Sequence, residues 1–335
     1  MKQQIDIQTV LEPAKTVLIL QADNPDADSL GSALALESIL AEMGKQTLLY
    51  CAVDIPDYIK YLEGWSRVSK DFPNQFDASV IVDASTLSLF ENLVKLGLKP
   101  QLATKPCIVL DHHNQTDNDI AFATVVLNDA KASSTCEVIY QLCKDLKWSV
   151  PTDALPYILT GILGDTQGLS NQLARAETYH IVGELVERGV NRPELEELRR
   201  AASKMPESIY KYKAELIKRT ELLCDGRLAL VDVTQEEITS FSPLYNPGPL
   251  IQPDMLQIEG VMVGIVCKVY SDGRVTGMIR CNPSAGIGAD LAVSLGGGGH
   301  AFAAGFKLRD KSYQDVKKSI IEKTNELLDK INTKP

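Results

Sequence analysis

The chain has 335 residues, is 44% hydrophobic and 6% aromatic, and carries 44 acidic against 34 basic residues for a net charge of −10. These are the proportions of a soluble globular protein, and at roughly 150 residues per domain the length predicts two domains. No apolar run approaches the ~18 residues of a membrane span, the opening MKQQIDIQTV lacks the apolar core of a signal peptide, and an acidic chain is a poor partner for long duplex nucleic acid.

In chain order, Val17 to Leu20 is a short apolar run followed by a polar turn and by SLGSALALESILAEMG. There Leu30, Ala33, Leu36, Ile39 and Leu40 recur at helical spacing until Gly44 stops them. Gln46 to Tyr50, Ser79 to Val82 and Cys107 to Leu110 predict further strands, apolar on both faces. Strands of that kind alternating with helices predict a parallel sheet with helices on both faces. Ser133 to Leu146 and Asp153 to Leu163 predict two later helices, the first with a Ser/Thr-rich start.

Pro193 to Leu223, rich in Glu, Lys, Arg and Leu, is predicted helical and bridges the two halves. From Arg227 the pattern changes to LALVDV, a Pro-rich loop, then GVMVGIVCKVY and RVTGMIR, two strands joined by a turn at Asp272-Gly273. Ser312 to Ile331 closes the chain as an amphipathic helix with Val316, Ile320, Leu327 and Ile331 on one stripe. The expected second domain is therefore α/β, with a different layout. Seven cysteines, odd in number and without a CxxC pair, predict reduced buried thiols in a cytoplasmic protein.

Carboxylates and histidines gather at the predicted strand ends. Asp26 and Asp28 follow the first strand, Asp83 ends VIVD, Asp111 ends CIVLD and is followed by His112 and His113, and Asp165 lies in the turn of GILGDTQG. Ligands of open α/β sheets bind outside the carboxyl ends of the strands. Acids and histidines meeting there suit a hard divalent cation such as Mn²⁺ or Mg²⁺. Taken singly, Asp26 and Asp28 read as helix caps, and Asp83 and Asp165 as turn residues. Two adjacent histidines after a strand resist a packing role, whereas His180, in AETYHIVGEL, reads as a surface residue.

The second signal is Gly296 to Gly299 before His300. Unobstructed backbone N–H groups make an anion nest, and a helix starting at Ala301 would add its positive end. Arg280, ending RVTGMIR, reads equally as a phosphate clamp or as an ordinary strand charge.

NPDADSLGS, the strand-end Asp83, DHH at Asp111–His113 and GILGDTQG resemble the four motifs of the DHH phosphoesterase superfamily, and GGGGHAFAAG resembles the signature of its DHHA1 C-terminal domain. Order and spacing agree over almost the whole chain, in the manner of the nanoRNase/pAp-phosphatase (NrnA-like) type. The resemblance implies a DHH metal-binding catalytic domain over 1–190, a helical linker over 191–225 and a DHHA1 substrate-binding domain over 226–335. It implies hydrolysis of short nucleotide substrates (nanoRNA, dinucleotides such as pApA, pAp or cyclic di-AMP) by two-metal activation of water, in a cleft between the domains. Two Mn²⁺ per chain are expected, with Mg²⁺ as the alternative.

On the same resemblance Asp26 would bind one metal and Asp28 the other, Asp83 would bridge them, and His112 and Asp165 would complete the second. His113 would face the substrate phosphate; Arg280, His300 and the Gly297, Gly298 and Gly299 backbone would bind it; and Asp111 would orient a histidine. The expected partner is a short oligonucleotide or dinucleotide, with neither long duplex nor membrane, and a homodimer stays open. One position departs from the pattern: Ala22 stands where the family has a metal-ligating histidine. A weakened first metal (unless Gln21, Asp23 or water substitutes), a non-catalytic nucleotide-binding or sensor protein on the same scaffold, and an engineered inactive variant are the readings this leaves.

Overall fold

The computed structural model describes residues 2–113, 120–242, 245–309 and 311–332, and the chain divides into two compact units, 1–204 and 205–335. The stretch 191–225 is thereby shared: α8 (Arg192–Ala202) belongs to the first unit, and α9 (Glu207–Arg219) with β6 (Glu221–Leu223) to the second.

In the first unit β1 (Thr16–Leu20), β2 (Gln46–Tyr50), β3 (Ala78–Val82), β4 (Cys107–Asp111) and β5 (Val125–Asn128) form a sheet of order β2-β1-β3-β4-β5. Every pairing is parallel. Because side chains alternate across a strand, Val17 and Ile19 of β1 face one hydrophobic layer and Leu18 and Leu20 the other. The first layer is closed by α1 (Lys2–Leu11), α2 (Ala27–Glu42), α5 (Thr135–Leu146), α6 (Leu155–Asp165) and α7 (Ala176–Glu187). The second is closed by α3 (Glu91–Lys95) and α4 (Lys99–Leu102). The expected parallel sheet with helices on both faces is the fold observed. Strand β5, unmarked by the sequence pattern, lies at the sheet edge, where its half-buried alternation Val125, Val126, Leu127, Asn128 gives a weaker apolar signal.

The strand order reverses between β1 and β3. At such a switch point the connections leave toward opposite faces and open a crevice at the carboxyl ends. Asp26, Asp28 and Asp83 all follow those two strands. On the helical side of the crevice α2 packs against α6 at two glycines. A Cβ on Gly31 would come 2.7 Å from the Tyr157 carbonyl, and one on Gly161 would overlap Cys136 Sγ and Asp28 Oδ1.

The second unit carries β7 (Leu228–Val233), α10 (Gln235–Phe241), α11 (Pro247–Met255), β8 (Val263–Val269), β9 (Val275–Cys281), α12 (Gly288–Ser294), β10 (Gly298–Gly299), β11 (Ala303–Leu308) and α13 (Tyr313–Asn332). With β6 its strands form a mixed sheet of order β10-β11-β9-β8-β7-β6, in which only β7 and β8 run parallel. Helices α12 and α13 cover one face, and α9 and α11 the other. The hairpin at Asp272-Gly273 is present, Gly273 supplying φ +78°. Among the described residues no helix is long and apolar enough to cross a membrane.

Candidate metal and phosphate site

Asp28 sits in the first turn of α2 yet does not cap it. Its carboxylate is fully buried and accepts the backbone N–H groups of Thr135 (2.6 Å) and Cys136 (3.0 Å) at the start of α5. The positive end of that helix compensates a buried negative charge. Capping of α2 falls to Asp26, whose Oδ1 accepts from the N–H groups of Asp28 and Ser29, both at 3.0 Å. The two aspartates of the DxD thus divide the work, one holding the helix start and the other entering the crevice.

Asp83 follows β3 with φ +60°, a left-handed conformation uncommon outside glycine and an indicator of a functional constraint. Its Oδ1 accepts Thr135 Oγ1 at 3.1 Å. Asp111 Oδ1 accepts the N–H groups of His112 and His113 and meets His113 Nδ1 at 2.8 Å. A carboxylate only accepts, so Nδ1 of His113 carries the proton and Nε2 is left for another partner. Asp165 closes α6 as its last residue, not in a turn as the sequence suggested, because the helix runs on through Gly164. Asn171 Nδ2 secures the Asp165 carbonyl at 2.7 Å.

These elements bring His112 among three carboxylates. Its Nε2 lies 2.9 Å from Asp165 Oδ2, 3.7 Å from Asp83 Oδ1 and 3.9 Å from Asp28 Oδ2. The atom is buried, and no neighbour among the described residues is aligned with it as a hydrogen-bond partner. One ligand atom each from Asp28, His112 and Asp165 falls within 4.8 Å of the others, as do those of Asp83, His112 and His113. Asp26 stands outside both groups.

The charges are in conflict. Burial, then repulsion by Asp28, Asp26, Asp165 and Asp111, lifts the Asp83 carboxyl well above its ordinary range. Burial and Asp28 push Asp165 up to about 6, against the opposing pull of His112. Burial alone would lower His112, yet Asp165, Asp28 and Asp111 together raise it to about 9. Burial raises Asp26 as well. In Asp111 burial is outweighed by the bonds from His113 and Ser85, which hold the carboxyl below its ordinary value.

A divalent cation fits this donor set. Hard carboxylate oxygens with one imidazole suit Mn²⁺ or Mg²⁺, and a cation there would relieve the repulsion and occupy the orphaned Nε2. Neither residue beside Ala22 joins the cluster. Gln21 Oε1 accepts Ser29 Oγ at 3.3 Å, and Asp23 Oδ2 accepts the Asn92 N–H at 2.7 Å, turned toward α3. Ala22 itself is buried in the apolar layer under α3 and α4.

In the second unit Arg280 of β9 pairs in register with Ala303 of β11, and the His300 N–H donates to the Ala303 carbonyl at 2.8 Å. Arg280, Gly298, Gly299 and His300 therefore share one corner of that sheet, all exposed. The helix expected from Ala301 is absent: Ala303–Leu308 is strand β11, and the glycine run is its partner β10. Gly297 is glycine because a Cβ would overlap the Gly305 carbonyl, and Gly299 because it takes φ +137° against Ala304. Close strand packing therefore accounts for two of the four glycines. His180 is exposed on α7.

Residues 16–162 match the DHH family, N-terminal domain. Among curated relatives, the bifunctional oligoribonuclease and PAP phosphatase NrnA of Thermus thermophilus is 24% identical, over 89% of this chain and 87% of its own. An uncharacterised MG371 homologue of Mycoplasma pneumoniae is 27% identical, over 86% and 85%. The crystal structure of an exopolyphosphatase-related protein from Bacteroides fragilis shares the fold at TM-score 0.85, with 20% identity and 98% of each chain covered. Residues 16–162 thus carry a DHH-family N-terminal domain, and over most of its length the chain is similar to proteins named NrnA and GdpP.

Proposed function

We propose that this chain is a divalent-metal-dependent phosphoesterase acting on short nucleotides: nanoRNA, dinucleotides such as pApA, pAp or cyclic di-AMP. The observation that carries the reading is the buried Nε2 of His112, within 4 Å of three carboxylates and without a hydrogen-bond partner among the described residues. Asp28, His112 and Asp165 would hold one Mn²⁺, and Asp83 with Asp26 a second. A bound ion supplies Lewis acidity toward the phosphoryl oxygens and lowers the pKa of water.

The chain's own residues do the remainder. Asp111 accepts from His113 Nδ1 and raises the pKa of the ring, so that the protonated imidazole, 44% exposed, can donate its Nε2–H to a substrate oxygen. The α5 N-terminus, through Thr135 and Cys136, fixes Asp28 before any ion arrives, which limits reorganisation during the reaction. Arg280, His300 and the exposed backbone of Gly298 and Gly299 form a phosphate-binding corner of the second unit, a role supported by the resemblance of GGGGH to the DHHA1 signature; the Gly297 N–H is taken by the Ala292 carbonyl at 2.8 Å. The relatives named as oligoribonuclease and PAP phosphatase support short nucleotides as the substrate class. Seven cysteines, all unpaired and six of them buried, support a cytoplasmic setting.

The test is a panel of pAp, pApA, cyclic di-AMP and five-residue RNA with Mn²⁺. Turnover of at least one substrate, lost in Asp83→Ala, is expected. No hydrolysis across the panel, with ligand binding retained, would instead identify a binding protein.

A further inference from the structure

Beside the acid cluster the first unit holds a cavity of about 560 Å³, lined among others by Ala27, Tyr61, Gly164, Arg192, Arg199 and Arg200. It shares Ala27, Tyr61, Gly164 and Arg199 with a smaller cavity of about 230 Å³, into which Asp26, Asp165 and Tyr58 face. The two therefore adjoin, and the arginine-lined cavity lies next to the one that Asp26 and Asp165 line. In a protein of net charge −10 this is a local reversal of sign.

Two of the guanidinium groups are held in place. Glu196 grips Arg199 by a two-pronged bond, Nε–Oε2 and Nη2–Oε1 both 2.8 Å, and its Oε1 also takes Arg200 Nε at 2.8 Å. Arg192, half-buried at the start of α8, makes no ion pair among the described residues. Three positive charges against one negative leave the wall at +2. Arginines pre-set in this way, with open N–H groups and an apolar floor of Leu163 and Leu195, suit a phosphate carried on a sugar or base.

We propose that this cavity is an anion subsite for the substrate strand, receiving a phosphate beyond the one held at the Asp28–His112–Asp165 cluster. The assignment rests on reading that cluster as a phosphoester site, because the four residues shared by the two cavities are what place the ligands side by side. It makes an oligonucleotide a better-held ligand than a mononucleotide.

The test uses the full chain in EDTA, so that no turnover occurs, and follows the fluorescence anisotropy of a labelled five-residue RNA. Arg192→Gln with Arg200→Gln should weaken binding at least tenfold and flatten its salt dependence, each lost phosphate contact taking roughly 0.7 from the log–log slope. The paired Lys substitutions should keep most of that slope. If the double variant does not fold, Arg200→Gln alone, on a side chain 74% exposed, should still weaken binding about threefold. Unchanged RNA affinity overturns the proposal. So does an equal loss of affinity for AMP, which would make the cavity a site for a free nucleotide. Failure of the phosphoesterase reading shows separately, as absence of Mn²⁺-dependent hydrolysis by the unaltered chain while the arginine variants still lose RNA affinity.

Discussion

Gly161 leaves empty the space that the Asp28 carboxylate fills: a Cβ at this position of α6 would overlap Asp28 Oδ1. A glycine inside a helix costs roughly 0.5–1 kcal/mol relative to alanine, so the position sets local helix stability against the site. Gly161→Ala should therefore destabilise, by about 1–3 kcal/mol as overpacking does, and weaken Mn²⁺ binding at least tenfold by shifting Asp28. Thermal melts with and without Mn²⁺ check both, and a more stable variant with unchanged metal affinity would refute the account.

Proton release on metal binding follows from His112. Its ring, raised to about 9 in the free protein, is protonated at pH 7.5 and must be neutral to ligate. Asp165, at about 6, has already lost its proton there. Mn²⁺ binding near pH 7.5 should then release at least one proton, that of His112 and any held by the raised Asp83 carboxyl, and affinity should increase with pH, steeply up to about 9. Calorimetry in buffers of different ionisation enthalpy counts the proton, and a count of zero would argue against His112 as ligand.

Asp83→Gly separates strain from chemistry. Removing the side chain relieves both the left-handed backbone at φ +60° and the repulsion among buried carboxylates. The metal-free variant should be more stable than the parent by about 1 kcal/mol or more, while Mn²⁺-dependent hydrolysis is lost. Chemical denaturation in EDTA, read beside a turnover assay, gives the two numbers.

Asp111→Asn addresses orientation. The amide removes the negative charge that keeps His113 protonated, leaving a neutral ring before the substrate phosphate, with metal affinity through His112 largely kept. A fall in kcat of about 10–100-fold with a smaller change in metal affinity is expected. A kcat near that of the parent would remove Asp111 from the positioning role.

Much of this was legible because strand-end chemistry is local. Apolar runs ending in Asp83 and Asp111 mark both a strand and the place where its last side chain leaves the sheet. The separate duties of Asp26 and Asp28 were not legible, since capping and burial depend on the distant N-terminus of α5. Thr135, which donates to Asp83, showed only as part of a Ser/Thr-rich helix start. GGGGH misled about its neighbour: glycines that permit a nest also permit close strand pairing, and Phe306 and Ala304 decide between them. The arginines of α8 showed only as part of a helical stretch rich in Glu, Lys, Arg and Leu, because Tyr61 and Leu163, which line the cavity with them, are distant in sequence.

The parallel pairing of β3 with β4 matches Val82 to Leu110, and the Asp83 N–H donates to the Leu110 carbonyl at 2.9 Å. The spacing between the donors of adjacent strands is thus inherited from the ladder itself, whose rungs are set ~4.8 Å apart by backbone bonding. Deleting one residue within β3 would barely change the composition of the chain. It would slide the strand by one pleat, turn its apolar set to the opposite face, and withdraw Asp83 from the crevice. The same carboxylates and histidines would remain in the sequence with no place to meet.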